Sequence, residues 1–389
     1  MGNVRFGVVG LGNMGSFHVD SFPGIQSATL AAICDASQKN LENVGKKTDA
    51  KRFGDYHEML AAGVIDAVLI ATPHVLHPEI ALAAFDKGVH VLCEKPLAVT
   101  VKQGRAVVDA ANKHPNLKFG MMFQQRTMPI YRKLRELITE GELGEISRIT
   151  WIVTDWFRTW AYYASGGWRA TWAGEGGGVL INQCPHNLDL IQWLTGMTPN
   201  RVTAVGFVGK THPIEVEDEV SAILEYPNGA IGHFVTSTGE APGTNRLEIV
   251  GDRGRIVCEN DKLHFSRTRK GVREIRETSK EAFAKVEAWE IEIPHAGGDM
   301  AGHKVITQNF VDAILKGEPL IAPGADGLRQ LELGNSILMA ALTRKPVELP
   351  PDANAYDQFI ADVTRQYGGR KTLKADPNAT VNMAASFQR

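Results

Sequence analysis

The chain has no surplus of charge of either sign. It carries 42 lysines and arginines against 44 aspartates and glutamates, which gives a formal net charge of −2. The basic residues form no run, so the sequence argues against nucleic acid or an anionic membrane surface as a partner. Hydrophobic residues make up 43 % of the chain and charged residues 22 %, proportions typical of a globular protein.

Long apolar segments are missing as well. No run reaches the roughly 20 residues that a membrane-spanning helix needs. The chain begins almost directly with a strand-like segment at 4–9, with neither a basic stretch nor a long apolar stretch before it, so we expect no signal peptide. These absences predict a cytoplasmic protein with no membrane partner.

Cysteine is rare, and the residues present are scattered. Cys34, Cys93, Cys184 and Cys258 form no CxxC pair. Closely spaced cysteines are the usual mark of a zinc site or a disulfide framework. We therefore expect four reduced thiols, no disulfide and no metal site.

The first third of the chain alternates short apolar runs with amphipathic stretches. Such a pattern is typical of a parallel sheet covered on both faces by helices. At 389 residues the chain is long enough for two domains. The pattern predicts an α/β domain with a Rossmann fold over residues 1–124. Its strands are predicted at 4–9, 28–34, 66–71, 89–93 and 117–123, and its helices include 76–87 and 101–113.

The pattern changes after residue 125. A helix at 128–140, a strand at about 146–155 and a helix ending near Leu194 come first. Pro-Asn-Gly and Asp-Arg-Gly sequences then separate some of the strand-like runs, as in antiparallel hairpins. Residues 125–389 are therefore predicted to form an α+β domain, with an open, mostly antiparallel sheet and helices on one face. The runs lie at 201–208, 219–226, 230–237, 246–250 and 254–258, and a further helix at about 305–315.

The second face of such a sheet needs a cover, because exposed apolar faces and sheet edges favour association. We therefore expect a homo-oligomer, either a dimer or a tetramer. The polar, Ala-rich residues after about 365 have two interpretations, a mobile tail or an arm that reaches a neighbouring subunit.

A G-x-G-x-x-G motif, residues 10–15, lies between the first predicted strand and a helix. Gly10 permits a tight turn, Gly12 lets the backbone approach a pyrophosphate, and Gly15 allows close helix packing. The helix N-terminus, which includes Asn13 and Met14, offers free N–H groups to the phosphates. Asp35 follows Gly15 by 20 residues, where a carboxylate accepts hydrogen bonds from ribose hydroxyls. A 2′-phosphate would meet like charge there, so the predicted cofactor is NAD, not NADP.

Two more motifs lie farther along the chain. Glu94-Lys95-Pro96 follows the strand at 89–93, and cofactors bind at the carboxyl ends of parallel strands. A glycine-rich segment at 176–178 leads into Asn182, His186 and Asp189. Together with the segments at 141–146 and 346–350, these motifs resemble the glucose–fructose oxidoreductase, inositol dehydrogenase and MocA family. That family carries a Glu-Lys-Pro signature and an Asp-x-x-x-His-x-x-Asp helix, and the resemblance covers nearly the whole chain.

The resemblance implies hydride transfer between a sugar or cyclitol carbinol and a nicotinamide. It places Lys95 at the reacting hydroxyl and makes His186 the general acid/base, a role that suits a side chain with an ordinary pKa of about 6.5. The positive nicotinamide ring disfavours the Lys95 ammonium, which helps this lysine to join a proton relay. The family also implies a cis bond between Lys95 and Pro96.

The sequence departs from the family pattern at Asn182, where many relatives carry the first Asp. An amide can hold a hydroxyl but cannot act as a base at neutral pH, so the base role moves to His186 and Lys95. Asn182 lies one helical turn before His186 if the helix already runs through Pro185, which favours the first turn of a helix. Asp189 either orients the imidazole or makes a structural hydrogen bond.

The neighbours of these motifs complete the predicted cofactor and substrate sites. Eight aromatic residues lie between Trp151 and Trp172, with two arginines among them. Apolar faces beside charged donors suit a pyranose ring, although some of these residues also fit a local core or an oligomer contact. The remaining cofactor candidates are Thr72, Pro73, His77, Glu94, Lys95 and Gln124, with His77 alternatively a helix cap. The substrate candidates are Lys95, Arg126, Trp156, Arg158, Tyr163, Trp168, Arg169, Asn182, His186 and His303.

The aromatic segment and the Asn182 form of the motif resemble the branch of the family that acts on pyranosides and anhydrosugars. The predicted reaction is NAD-dependent oxidation of a secondary hydroxyl, at C3, to give a 3-keto sugar. One alternative is a myo- or scyllo-inositol dehydrogenase or an NADP-linked sugar reductase, the latter disfavoured by Asp35. The others are a glycoside-cleaving enzyme that regenerates NAD and a non-catalytic NAD-binding regulator.

Overall fold

The computed structural model describes residues 2–296, 302–374 and 376. The two interpretations of the C-terminal tail concern residues that lie mostly outside these ranges. Within them, no helix has the length and apolar character needed to cross a membrane. All four cysteines are buried and free.

The N-terminal part is built on a six-stranded parallel sheet with the strand order β3-β2-β1-β4-β5-β6. This order confirms the predicted Rossmann fold, and it reverses direction between β1 and β4, where such sheets bind ligands. Its strands are β1 (Val4–Val9), β2 (Ala28–Cys34), β3 (Lys51–Phe53), β4 (Ala67–Ile70), β5 (His90–Cys93) and β6 (Phe119–Met121). The helices between them are α1 (Asn13–Ser21), α2 (Gln38–Gly45), α3 (Tyr56–Ala61), α4 (His77–Asp86) and α5 (Val101–Lys113).

The C-terminal part contains a nine-stranded sheet that is antiparallel except for one parallel pair, β7 with β10. The predicted hairpins join β9 to β10 and β11 to β12. The strands are β7 (Ile146–Val153), β8 (Arg201–Val208), β9 (Glu217–Glu225), β10 (Ile231–Ser237), β11 (Asn245–Gly251), β12 (Gly254–Glu259), β13 (Lys262–Thr268), β14 (Ala288–Glu292) and β15 (Val347–Glu348). Their order across the sheet is β14-β13-β12-β11-β7-β10-β9-β8-β15.

Eight α-helices of the described residues follow α5 along the chain. They are α6 (Pro129–Thr139), α7 (Trp160–Ala164), α8 (Trp172–Glu175), α9 (Pro185–Thr195), α10 (Val272–Thr278), α11 (Gly302–Lys316), α12 (Gly324–Thr343) and α13 (Ala353–Tyr367). The long, buried α12 packs against β8 and β9, and its apolar residues join the same core as the sheet. This arrangement confirms the predicted sheet with helices on one face.

One part of the later chain returns to the first domain. Ile306, Phe310 and Val311 of α11 belong to the buried cluster of the Rossmann sheet, and the Phe310 ring lies 6.2 Å from the ring of Phe6 in β1. The predicted division into residues 1–124 and 125–389 therefore needs an amendment. The Rossmann core is completed by α11, which also brings His303 back to the cofactor side.

Candidate active site

A cleft of about 930 Å³ extends from the glycine-rich turn after β1 to the aromatic segment that follows β7. Its walls include Gly10 and Asp35 at one end, Lys95 and His186 in the middle, and Trp168 at the other end. The cleft therefore brings together the three motifs singled out in the sequence, although they are far apart along the chain.

Each of the three glycines in the motif at 10–15 is suited to its position for a different spatial reason. A Cβ on Gly10, whose φ is +88°, would lie 2.7 Å from the backbone of Ala71, and a Cβ on Gly15 would lie 1.7 Å from the Gly10 carbonyl oxygen. A Cβ on Gly12 would meet nothing within 4 Å, so this residue faces open space where a phosphate can approach. Gly15 thus acts through packing and does not line the cleft.

Asp35 stabilises the glycine-rich turn and also lines the cleft. Its carboxylate accepts hydrogen bonds from the backbone N–H of Leu11 at 2.6 Å and of Ser37 at 2.7 Å. Asn40, which sequence reasoning missed, donates to the same carboxylate at 3.3 Å and also lines the cleft. An open turn, a helix N-terminus at Asn13 and Met14, and an acidic residue beside them fit the pyrophosphate and ribose of NAD.

The loops after β4 and β5 close the middle of the cleft. The two ring nitrogens of His77 lie 2.7 Å from the Pro96 carbonyl oxygen and 2.9 Å from the Thr72 carbonyl oxygen. His77 is also the first residue of α4, so it joins the two loops and begins the helix. Thr72 and Pro73 line the cleft, and the buried Thr72 hydroxyl has no hydrogen-bond partner among the described residues, as expected of a group that meets a ligand.

Glu94 is held by a histidine that the sequence analysis did not single out. Its Oε1 lies 2.7 Å from Nε2 of His18 in α1, and both side chains are buried. Burial alone would raise the pKa of Glu94, but the hydrogen bond and charge of His18, together with nearby His303 and Lys95, outweigh it and lower the pKa to about 2. The ring of His303 packs on that of His18 at 5.6 Å and lines the cleft, and burial lowers the pKa of His303 to about 3.

Lys95 directs its ammonium group across the cleft. The Lys95–Pro96 bond is cis, which confirms that prediction. The Lys95 Nζ donates to the Asn182 carbonyl oxygen at 2.8 Å, so the lysine links the Rossmann part to the glycine-rich segment. Burial lowers the pKa of Lys95, and the positive charges of Arg169 and Arg158 lower it further.

His186 lies on the opposite wall, at the start of α9. Its Nε2 is 3.1 Å from the Gln124 amide nitrogen, and its buried Nδ1 has no partner among the described residues. Burial first, and then the positive charge of Lys95, hold the pKa of His186 well below its ordinary value. The imidazole is therefore neutral at physiological pH and able to accept a proton.

Asn182 and His186 belong to two different helical segments. A π-helical turn, Val179–Gln183, ends before α9 begins at Pro185, so the two residues are not related by one regular helical turn. The glycine-rich segment before the turn packs closely on β9. A Cβ on Gly178 would lie 1.9 Å from the Glu217 carbonyl oxygen, and the buried Glu217 carboxylate accepts from the Gly178 N–H at 2.7 Å.

Two residues around Asn182 were missed by sequence reasoning. The Asn182 amide nitrogen donates to the buried carboxylate of Glu175, and its Oδ1 accepts from the Tyr162 hydroxyl at 3.4 Å. Glu175 also accepts from the Ala170 N–H at 2.6 Å, and burial raises its pKa. Because Glu175 holds the amide nitrogen, the acceptor end of Asn182 is the end directed toward Tyr162 and the cleft.

Three predicted site residues are structural. Asp189 accepts two hydrogen bonds from Arg126 and does not contact His186, so the interpretation that it orients the imidazole is replaced by the structural one. Arg126 is itself buried, donates to Asp326 at 2.8 Å and does not line the cleft, which corrects its assignment to the substrate. Tyr163 is corrected for the same reason, because its hydroxyl donates to Thr238 at 2.9 Å inside the core.

The remaining aromatic and arginine candidates do reach the cleft. Trp156, Arg158, Trp168 and Arg169 all line it. The guanidinium carbon of Arg158 lies 4.9 Å from the centre of the Tyr162 ring, and that of Arg169 lies 4.7 Å from it. The aromatic segment therefore divides between the core, which takes Trp151, Tyr163 and Trp172, and the cleft wall.

Sequence comparisons agree with this geometry. Residues 4–121 match the model of an oxidoreductase family with an NAD-binding Rossmann fold, and residues 131–257 match the GFO/IDH/MocA C-terminal domain. Levoglucosan dehydrogenase of Pseudarthrobacter phenanthrenivorans is 28 % identical over 90 % of this chain and 99 % of that protein. Myo-inositol 2-dehydrogenase of Thermotoga maritima is 27 % identical over 66 % of this chain and 75 % of that protein.

A solved structure has the same architecture. The WlbA dehydrogenase from Bordetella pertussis, in complex with NADH and UDP-GlcNAcA, superposes with a TM-score of 0.76 at 27 % identity. The superposition covers 90 % of this chain and 100 % of that one. The chain therefore belongs to the glucose–fructose oxidoreductase, inositol dehydrogenase and MocA family of oxidoreductases, and its Rossmann domain binds NAD.

Proposed function

We propose that the protein is an NAD-dependent dehydrogenase that oxidises a secondary hydroxyl of a pyranose, glycoside or anhydrosugar. The observation that carries the proposal is the meeting of Lys95 and His186 across one cleft, beside the glycine turn that fits the cofactor. A buried neutral imidazole and a buried ammonium are the two groups that proton removal from a carbinol needs. The similarity to levoglucosan dehydrogenase, named for an anhydro-pyranose, supports a sugar as substrate.

In this proposal each residue has a defined task. When bound, NAD accepts a hydride from the carbinol carbon. The Lys95 Nζ, already anchored by the Asn182 carbonyl, hydrogen-bonds the reacting hydroxyl and stabilises the developing alkoxide. His186 takes the hydroxyl proton at Nε2, where the Gln124 amide now donates. Asn182 presents its Oδ1 to a neighbouring hydroxyl because Glu175 holds its amide nitrogen.

The proposed position of oxidation is C3 of the ring. The support is the resemblance to the branch of the family that carries the aromatic segment and the Asn182 form of the motif. Trp156 and Trp168 give the cleft wall apolar faces next to the donors of Arg158 and Arg169. Such a wall suits a pyranose, which has C–H faces and hydroxyl edges.

The proposal includes a homodimer or homotetramer that covers the outer face of the large sheet. Four apolar side chains alternate along β8, β9 and β10 and are 43–46 % exposed. Several exposed apolar side chains on neighbouring strands are typical of an interface. The four side chains are Val205, Phe207, Ile223 and Ile231.

A substrate screen tests the proposal. Purified protein is incubated with NAD or NADP and with glucosides, levoglucosan, free hexoses or inositols, and reduced cofactor is followed by absorbance. We expect NADH from pyranosides or anhydrosugars, and none from the Lys95→Ala and His186→Ala variants. The exposed Lys280→Ala and His57→Ala variants control for loss of a lysine or histidine elsewhere.

The other outcomes separate the alternatives. NADH formed from inositols alone would make the protein a cyclitol dehydrogenase. Cleavage of a glycoside without net NADH would indicate a cycle that regenerates NAD. Binding of NAD with no turnover of any polyol would overturn the dehydrogenase proposal.

A further inference from the structure

The cleft contains an arginine side chain that has no carboxylate partner among the described residues. Each carboxylate that lines it has a partner within the protein. Asp35 is bound by backbone N–H groups, Glu94 by His18, Asp155 by Asn245 at 3.2 Å, Glu259 by Arg246 at 2.7 Å, and Asp261 lies 3.8 Å from His295. Four of these carboxylates are therefore taken up by close hydrogen bonds, and the fifth, Asp261, is 78 % exposed to solvent.

Of the two arginines that line the cleft, Arg158 is the one without a carboxylate partner among the described residues. Its Nη1 donates to the carbonyl oxygens of Trp156 at 3.4 Å and Phe157 at 3.0 Å, and its buried Nε has no partner among the described residues. No carboxylate of the described residues forms an ion pair with it, whereas Arg169 lies 3.9 Å from Glu175. A guanidinium with a buried, unpaired donor beside a ligand cleft is costly unless a ligand satisfies it.

The backbone of Arg158 is fixed, although it lies between elements. Its N–H donates to the Thr238 carbonyl at 2.9 Å, and its carbonyl accepts from His212 Nε2 at 2.9 Å. The other nitrogen of His212 lies 3.1 Å from the buried carboxylate of Asp218. This anchoring and the ring of Tyr162 hold the guanidinium in place before any ligand arrives.

The position of the two arginines connects them to the reacting centre. Arg158 and Arg169 pack on one ring, that of Tyr162, and both lie close enough to Lys95 to act on its charge. Arg169 donates to the Tyr162 hydroxyl at 2.9 Å, and Tyr162 reaches Asn182. A sugar whose hydroxyl lies at Lys95 would therefore extend toward Arg158.

From this arrangement we infer that the substrate is an acidic sugar, whose carboxylate is bound by Arg158 with Arg169 beside it. The inference rests on the proposed function, since it names the class of pyranoside oxidised at that site. A carboxylate fits because the planar guanidinium matches its geometry and charge, and neutral hydroxyls would leave the positive charge unbalanced.

Binding to the NADH complex tests the inference independently of turnover. The ligands are the methyl glycosides of glucose, galactose and mannose, each compared with its uronic acid, and titration calorimetry gives both dissociation constants. At least one uronic acid should bind about tenfold or more tightly than its neutral partner, as charge-assisted hydrogen bonds do. High salt should reduce the preference.

Variants assign the preference to Arg158. Arg158→Gln should abolish it, so that the acid and the neutral glycoside bind alike, and should leave the affinity for NADH within about threefold. Arg158→Lys should retain part of it. Arg365→Gln, which removes an exposed arginine on α13, is the matched control and should change nothing.

Equal binding of acid and neutral glycoside in the unaltered protein would overturn the inference. A preference that survives in Arg158→Gln would overturn it as well. Neither result would affect the proposed function, which fails only if no pyranoside or anhydrosugar, and none of the uronic acids added to the substrate screen, yields NADH.

Discussion

The ion pair between Arg126 and Asp189 supports a prediction about stability and not about catalysis. Both side chains are 3 % exposed. Arg126 Nε donates to Asp189 at 2.7 Å and Nη2 makes a second bond to it, while Nη1 donates to Asp326 at 2.8 Å and to the Ile321 carbonyl at 3.0 Å. The guanidinium therefore has one fully buried carboxylate partner and one that is 20 % exposed.

Asp189→Asn keeps the shape of the side chain but removes the buried negative charge. The guanidinium is then left with Asp326 alone, and breaking a buried pair in this way costs about 3 kcal/mol of unfolding free energy. Asp326→Asn should cost about 1 kcal/mol, because its carboxylate is partly solvated. The double variant Arg126→Met, Asp189→Leu should recover most of the loss, since no charge stays buried without a partner.

Chemical denaturation followed by tryptophan fluorescence measures these differences, and Trp193, 5.4 Å from the Arg126 guanidinium, reports on the site. The pH dependence of turnover is the second readout. Because Asp189 does not contact His186, Asp189→Asn should leave the acid limb of that profile in place. A variant as stable as the parent protein, with a displaced acid limb, would refute the reasoning and return Asp189 to the catalytic group.

Three further predictions concern the cleft. Lys95→Met should raise the pKa of His186, because the ammonium lowers it; NMR titration of the imidazole measures this, and an unchanged pKa would contradict it. Gly12→Ala should fold normally, since a Cβ there meets nothing within 4 Å, yet lose NADH affinity by about tenfold or more; calorimetry decides. Asn182→Asp should lower activity, because a second carboxylate beside buried Glu175 is repelled, and adding Glu175→Gln should restore it. Full activity in Asn182→Asp alone would refute that account.

Much of the first domain could be predicted because its sequence signals are local. The strands at 4–9 and 28–34 and the helix at 101–113 have the predicted bounds, since each is a short apolar run or an amphipathic stretch with clear ends. The capping box of Thr100 and Gln103 marks the start of that helix. Three-residue β3 was missed, because so short a strand has no period to detect.

Several elements of the second domain could not be predicted from the sequence pattern. The 20-residue α12 was not predicted, because it is buried on most of its surface and so lacks the polar face of an amphipathic helix. β14 lies at the sheet edge with all but one of its five residues exposed, so it lacks the alternation of a half-buried strand, whereas β13 was missed although buried Leu263 and Phe265 alternate with exposed residues. The return of α11 to the Rossmann core is a tertiary contact without a local signal.

The site residues also divide into those that the sequence could predict and those that it could not. Lys95, Asn182 and His186 stand in motifs, so the sequence could single them out. Arg126 and Tyr163 have the right residue types near the right motifs, but their side chains are taken up by Asp189 and Thr238. Glu175 and Tyr162 were missed because they act through their contacts with Asn182, and no spacing in the sequence predicts those contacts.

The central claim is hydride transfer from C3 of a pyranoside at the site formed by Lys95 and His186. The most direct measurement uses the best substrate from the screen with deuterium at C2, C3 or C4, one position at a time. Mass spectrometry of the reduced cofactor then shows which hydrogen was transferred. We expect deuterated NADH from the C3-labelled sugar alone, and none from the His186→Ala variant. Deuterium arriving from C2 or C4, or from no ring position, would contradict it.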